Sequence, residues 1–404
     1  MKRNTLKSSR LFSTKLAVLC IAVFFAACSN SNVVINKTAS VPMVTLTGKA
    51  VNIESNEPIA EADILIGGTT KYTTTDEQGG FSIQLPAGYY EVYVNHPDFK
   101  ESAKNVNLIR SKGAQQSVTI SAQMIPSFLR EPEHAGDANT KREPETEAKS
   151  QKEALNTFVN YYITDDDLKC GLENPEEVHF AEKDEEGLTW INEPTELIVM
   201  NEELGYRIHV FLEEYVAKKY SQIIGQNVDA SYFFEELEPI NKQQEEEWEQ
   251  RRKDFFEGSF RHFLIAMASE KSPLYFGYRI FSGQAVTNTT AMAYSSSSVS
   301  DIEKEKYEIV RPSYENENFL LQSDEEIRVE YIEQGVDDPD RIMGLQSYKY
   351  QTSWISLNNS SAEFTRNGLL KDKNALELKG YWRYVPVCKM LPKDYLPKIE
   401  KDNS

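Results

Sequence analysis

Between residues 44 and 124 apolar and polar side chains alternate in short runs. Phe81, Ile83 and Leu85 alternate with Ser82 and Gln84, and Tyr90, Val92 and Val94 alternate with Glu91 and Tyr93. A period of two sends successive side chains to opposite faces of a strand. Turn chemistry punctuates these runs at Gly67-Gly68, at Asp76 to Gly80 and at Pro86-Ala87-Gly88. The pattern predicts a small all-β sandwich in which one face of each strand is apolar and the other can meet water. Over residues 125–153 the composition turns to Pro, Gly, Ala and charges of both signs, with almost no apolar residue after Leu129; this predicts a linker. From Ala154 the period changes, with Leu155, Phe158, Val159 and Tyr162 at helical spacing.

The pattern then predicts two strands over Val178 to Ile191 around the acidic turn Lys183 to Gly187. A further strand follows at Glu196 to Met200, and another starts at Leu204. The longest predicted helix runs from Asn241 to Ala268, with Trp248, Phe255, Phe256, Phe260, Phe263 and Met267 near one stripe. Ser295 to Ser300 reads as a low-complexity loop. Alternation resumes from Tyr348, at Trp354-Ile355, Ala362 to Phe364, Leu376 and Leu378 and Tyr381 to Tyr384, with Asn367-Gly368 as a hairpin signal. The expected class is mainly β with α+β: the sandwich at 44–124, then a larger α+β domain over 154–401, with a candidate break into two subdomains near 285–320.

Four motifs carry a resemblance: Gly48 to Val51, Glu57 to Ile64, Thr75 to Ile83 and Leu85 to Tyr90. In order and spacing they resemble the carboxypeptidase regulatory-like domain, which implies a transthyretin-like seven-strand sandwich that performs no chemistry itself. The chain departs from the family at Asn95 to Phe99, where a Gly usually precedes the aromatic. Leu204 to Ile208, Phe233 to Leu237, Trp248 to Arg252 and Gly258 to Leu264 resemble a region that follows such sandwiches in many bacterial envelope proteins. Leu391 to Pro397 resembles their closing motif. These last resemblances imply an architecture and no activity.

At the start of the chain Lys2, Arg3, Lys7, Arg10 and Lys15 precede the apolar run Leu16 to Phe25, which ends in Ala26-Ala27-Cys28. The run is about half of the roughly 20 residues that a membrane helix needs, and small residues before a cysteine suit a signal peptidase. The segment resembles a bacterial lipoprotein signal: 1–27 would be removed, Cys28 lipidated, and 28–43 left as a tether. Ser29 resembles the outer-membrane sorting class, which implies an outer-membrane anchor facing the periplasm. Two or more acyl chains anchor stably where one binds marginally.

Cleavage removes Cys20, so Cys170 and Cys388 are the cysteines left beside Cys28. In an oxidising compartment the pair could form one long-range disulfide or stand as two free, buried thiols. The formal charge of −19 argues against nucleic acid and anionic headgroups as partners, and is otherwise a solubility property. Arg251, Arg252, Arg261 and His262 form the densest cationic group. On one continuous helix positions 251, 255, 258 and 262 project similarly, which makes them weak anion-binding candidates; salt bridges to Glu235, Glu236 or helix glutamates compete with that role.

Five histidines occur: His96, His134, His179, His209 and His262. His179 and Glu182 have the His-x-x-Glu spacing of zinc carboxypeptidases, but residues three apart on a strand face opposite ways, and a catalytic zinc needs a third ligand. Asp76 suits a backbone turn better than a metal. The nucleophile elbow, the phosphate-binding loop, His-Glu-x-x-His and Cys-x-x-Cys are absent from the sequence. No catalytic residue, metal or cofactor is therefore expected. The expected role is a non-enzymatic binding or scaffold module for an envelope protein or glycan. The alternatives are a carbohydrate-binding protein of a glycan-uptake system, using exposed Tyr and Trp, and a hydrolase of unrecognised type acting on peptide or glycan.

Overall fold

The computed structural model describes residues 43–96, 98–108, 116–122, 144–164, 168–183, 188–191, 195–220, 223–283, 302–313, 318–335, 349–383 and 385–397. The signal segment, Cys28 and its tether, most of the linker, His134 and the Ser295 loop lie outside them.

Seven strands build the first layer pair: β1 (Met43–Asn52), β2 (Asp63–Ile66), β3 (Tyr72–Thr74), β4 (Gly80–Pro86), β5 (Gly88–His96), β6 (Phe99–Leu108) and β7 (Gln116–Ala122). One sheet has the order β4-β1-β7, with β7 parallel to β1; the other has the order β3-β2-β5-β6. Val44, Leu46, Ile64, Ile66, Phe81, Leu85, Tyr90, Val92 and Val94 fill the space between them. The turn at Asp76 forms as its residues dictate: the carboxylate accepts from the backbone N–H of Gln78 (2.9 Å) and Gly80 (2.7 Å), and Gly79 adopts φ +71°. At the departure from the family, His96 pairs with Phe99 across the β5–β6 hairpin after a register shift.

The polar-side expectation for β5 is not met at Tyr93. At that position the outward face is covered: Tyr93 and Leu65, side by side on β5 and β2, are buried against Phe233, with Phe211 packed alongside.

Helix α1 (Pro144–Phe158) passes into one π turn at Val159–Ile163. A six-stranded sheet follows, made of β8 (Cys170–Leu172), β9 (Ala181–Lys183), β10 (Leu188–Ile191), β11 (Thr195–Asn201), β12 (Tyr206–Tyr220) and β13 (Ile223–Glu236). The long β12 is its spine: β11 pairs with its first half and β10 with its second, while β13 runs along its other edge. Phe158, Tyr162, Leu197, Val199, Ile208, Val210, Leu212 and Tyr215 form its core, joined by Val387 and Cys388 from the far end of the chain.

The predicted long helix is two helices, α2 (Lys242–Phe256) and α3 (Phe260–Ala268). Between them Gly258 adopts φ +78°, and the Ser259 hydroxyl accepts from the His262 N–H at 3.1 Å, capping α3. The break separates Arg251 and Arg252 from Arg261 and His262, so the single cationic face expected of a continuous helix does not form.

A third core gathers around α3. Its strands are β14 (Tyr278–Gly283), β15 (Ile302–Glu303), β16 (Val310–Pro312), β17 (Phe319–Gln322), β18 (Glu326–Tyr331), β19 (Gln351–Leu357), β20 (Ser361–Phe364) and β21 (Leu376–Gly380), with the short α4 (Lys306–Ile309) between β15 and β16. They form sheets β15-β14-β18-β19-β21 and β16-β17-β20. Phe263, Leu264, Met267, Tyr278, Ile280, Val329, Ile355, Phe364 and Trp382 fill this core. Phe255 packs on the second core and Phe260 on the third, and the chain returns to the second at Val387 and Cys388. Tyr381–Arg383, expected as strand, is a 3-10 turn.

A candidate binding cleft

The Gly67-Gly68 hairpin of the sandwich is gripped from two sides. On one side the Gly68 N–H donates to the Tyr232 carbonyl, and the Phe234 N–H donates to the Thr69 carbonyl at 3.0 Å, so the backbone of β13 is bonded to the hairpin. On the other, the Lys393 N–H donates to the Gly68 carbonyl at 2.6 Å. Asp394 accepts from the Thr70 N–H (3.0 Å) and hydroxyl (2.7 Å) and pairs with Lys71 at 3.5 Å. Gly68 sits at φ +74°, which glycine adopts without steric cost.

The closing segment 385–397 is held in turn. Cys388 is disulfide-bonded to Cys170 with a Cα–Cα distance of 6.0 Å. The Asn201 amide donates to the Cys388 carbonyl at 2.7 Å, while its carbonyl oxygen accepts from the Leu204 N–H at 3.0 Å.

Where hairpin, sheet, α2 and closing segment meet, a cleft of about 370 Å³ opens. Thr70 and Lys71 come from the hairpin, Tyr206 and Glu236 from the sheet, Glu245, Trp248, Glu249 and Arg252 from α2, and Asp394, Tyr395 and Leu396 from the closing segment. Positions 245, 248, 249 and 252 share one helix face because they are three or four residues apart. Trp248 packs on Gly205 and donates its indole N–H to the Glu202 carbonyl at 2.7 Å. Arg252 lies over the Tyr206 ring, 4.0 Å from its centroid. The same guanidinium donates to the Leu204 and Gly205 carbonyls at 2.7 and 3.3 Å and pairs with Glu236 at 3.4 Å. Burial holds the Tyr206 hydroxyl well above its ordinary pKa, so it is a neutral phenol, and it has no hydrogen-bond partner among the described residues.

Of the four cationic candidates, only Arg252 lines this cleft. Arg251 pairs with Glu203 at 3.7 Å. Arg261 donates to the carbonyls of Asn367 (3.0 Å), Pro392 (3.1 Å) and Tyr395 (2.7 Å), and burial lowers its pKa to about 10. His262 lies in the core, where Nδ1 is 3.0 Å from the Tyr278 hydroxyl and accepts from the Gly258 N–H at 3.2 Å; burial alone lowers its pKa to about 3. The four are spent on different internal partners and make no common anion site.

His179 is exposed beside buried Phe180, and nothing is described for the Glu182 side chain. His209 bonds Glu196 at 2.8 Å, which raises its pKa. Among the described residues no cluster of three His, Cys, Asp or Glu side chains could hold a metal, and no helix is long and apolar enough to cross a membrane. Sequence reasoning missed Glu245, Glu249, Tyr206 and Asp394 as one site, because they come together only through the grip on the hairpin.

Residues 45–121 match the family model for the carboxypeptidase regulatory-like domain, so the resemblance carried by the four motifs holds over those residues. None of the curated proteins matches the chain. Among solved structures, a DUF3823 family protein from Parabacteroides merdae is 8% identical, with 48% of this chain and 82% of that chain covered and a TM-score of 0.17. A DUF3823 family protein from Bacteroides ovatus is 10% identical over 49% and 82%, with a TM-score of 0.17. One from Bacteroides uniformis is 8% identical over 80% and 99%, with a TM-score of 0.16.

Proposed function

We propose that this protein is a lipid-anchored envelope module that binds a partner protein without turning it over. Acyl chains on Cys28 tether it to the outer membrane, facing the periplasm, and the regulatory-like sandwich is a fixed wall of the binding region. The observation that carries this reading is the cleft itself: four segments distant in sequence are held around one recess by backbone and side-chain hydrogen bonds and a disulfide. Its lining holds no histidine or cysteine, and the hydroxyl of its threonine, Thr70, donates to Asp394. A protein partner is preferred to a glycan because the ring faces are already used: Tyr206 is covered by Arg252, and Trp248 lies on Gly205.

The test is crosslinking in living cells that produce the natural protein, compared with Cys28→Ser and with Glu245→Lys in the cleft, with captured proteins identified by mass spectrometry. The expected result is one reproducible partner that is lost in both variants, with Cys28→Ser leaving the membrane fraction. Undiminished capture by Glu245→Lys refutes the cleft as the binding place, and membrane retention of Cys28→Ser refutes the anchor.

A further inference from the structure

The sheet built on β12 ends in an open edge. β13 pairs with β12 along its length, and among the described residues no strand pairs with its other side. In an antiparallel strand the N–H and C=O of one residue point to one neighbour and those of the next residue point the opposite way. The sandwich hairpin shows which residues of β13 point away from β12. The Tyr232 carbonyl accepts from the Gly68 N–H, and the Phe234 N–H donates to the Thr69 carbonyl. The register shift of this pair lies on β12, between Leu212 and Glu214, so the alternation along β13 is unbroken and Ala230, Val228 and Gln226 also point outward. Among the described residues their outward groups have no backbone partner.

Two further features suit this edge to an added strand. Natural sheets blunt a bare edge with lysine, proline or shortness, whereas β13 is 14 residues long and contains neither lysine nor proline. Val228, Ala230 and Tyr232 share one face because they are two residues apart, and they form an apolar margin only partly buried against the second core. On the other face Asp229 pairs with Lys373 at 3.1 Å, and Ser231 meets the Tyr93 hydroxyl, so that face is polar.

We propose that the edge of β13 over residues 226–230 takes an extended segment of a partner protein as an added strand, continuing the seat that the sandwich hairpin occupies at Tyr232 and Phe234. Backbone hydrogen bonds hold such a segment, and its alternate side chains set the choice of sequence. Apolar residues at every second position lie beside Val228 and Ala230, with polar residues between them beside Asp229. The charge of −19 on each chain sets a second copy against itself, which favours a different protein as the source of the strand. The surface lies along β13 from Glu236 and the cleft, and the inference does not depend on what the cleft binds.

The experiment is isothermal titration calorimetry of the full-length chain in detergent with the blocked peptide acetyl-Lys-Val-Thr-Val-Thr-Val-Lys-amide and two N-methylated forms, one methylated at the valines and one at the threonines. Each form loses the donors of one edge of the peptide strand. The expected result is that one form binds like the parent and the other at least about tenfold more weakly, through loss of its hydrogen bonds to β13. Ala230→Pro removes an outward N–H at a place where an edge strand admits proline, and should weaken the parent peptide by about tenfold. In the free protein the Val228 and Ala230 amides should exchange with solvent faster than those of Asn227 and Asp229, which face β12.

Equal binding of both methylated forms, no binding of the parent up to about one millimolar, indifference to Ala230→Pro, or slow exchange at Val228 and Ala230 overturns the inference. A dimer in sedimentation that Ala230→Pro dissociates overturns it in favour of a second copy. Glu245→Lys should leave peptide binding unchanged. If the cellular partner is lost in Glu245→Lys while the peptide fails, the cleft stands and the edge falls. If the peptide behaves as expected while Glu245→Lys captures as before, the edge stands and the cleft falls.

Discussion

Gly205 adopts φ +68°, and a Cβ built on it would overlap the Trp248 ring. Alanine there pays twice, for a left-handed backbone and for a collision with an indole that is itself hydrogen-bonded. Gly205→Ala should therefore lower stability by about 2–4 kcal/mol in urea unfolding and shift the Trp248 environment in near-ultraviolet circular dichroism. His262 supports a prediction in pH. Its pKa, about 3 in the fold, is depressed below an unfolded value of about 6.5, so the unfolded chain binds the proton first. Stability from this residue is complete above about pH 6.5 and is lost as pH falls towards 3, at a slope of about 1.4 kcal/mol per unit. Glu257, whose pKa is raised by burial, acts in the opposite sense near the carboxylate range. His209, whose pKa is raised by Glu196, also gains stability on acidification, so the check is a difference: between pH 7 and 5 the urea midpoint of the natural protein should drop relative to that of His262→Asn, whose carbonyl can replace Nδ1 as acceptor for the Gly258 N–H.

At the scale of the element, the apolar spacing over 241–268 fits one helix, because residues on both sides of the break are apolar and periodic. What divides it is the Glu257-Gly258-Ser259 triplet, a glycine with positive φ followed by a serine whose side chain caps the next helix. The Gly and Ser signals were legible in the sequence and outweighed by the stripe. The break lets α2 cover Tyr206 while α3, buried along nearly its whole length, turns into the third core. Ser259→Ala should destabilise by about 1 kcal/mol, while Ser259→Asp, which keeps a capping acceptor, should retain most of that stability; thermal unfolding of the two variants checks it.

At the scale of the molecule, the closing segment ties the sandwich to the sheet. It is pinned by Cys170–Cys388 across a sequence separation of 218, and its Lys393 and Asp394 hold the hairpin. Removing so long a closed loop should cost about 2–5 kcal/mol by the chain-entropy account. Cys170→Ala with Cys388→Ala should accordingly lower the unfolding midpoint. It should also raise the hydrogen-exchange rate of the Lys393 and Thr70 amides more than that of the sandwich interior, which has its own core. Equal protection of all these amides in the variant would show that the grip on the hairpin does not depend on the disulfide.

Period-two alternation, turn residues at set intervals and four ordered motifs were enough for the sequence alone to determine the sandwich, since each signal is local and each is met by the backbone conformation that the residue favours. The paired strands at 181–183 and 188–191 and the strand at 195–201 were legible for the same reason, whereas the helix expected from Ala154 begins at Pro144, inside the residues read as linker. The outward face of β5 was not legible, because alternation says which side chains share a face and not what covers it; Tyr93 is buried by Phe233, 140 residues away in sequence. The disulfide, the fate of the four cationic side chains and the cleft were likewise decided by tertiary structure. Each depends on distances between segments far apart in the chain, and no periodicity encodes a distance of that kind.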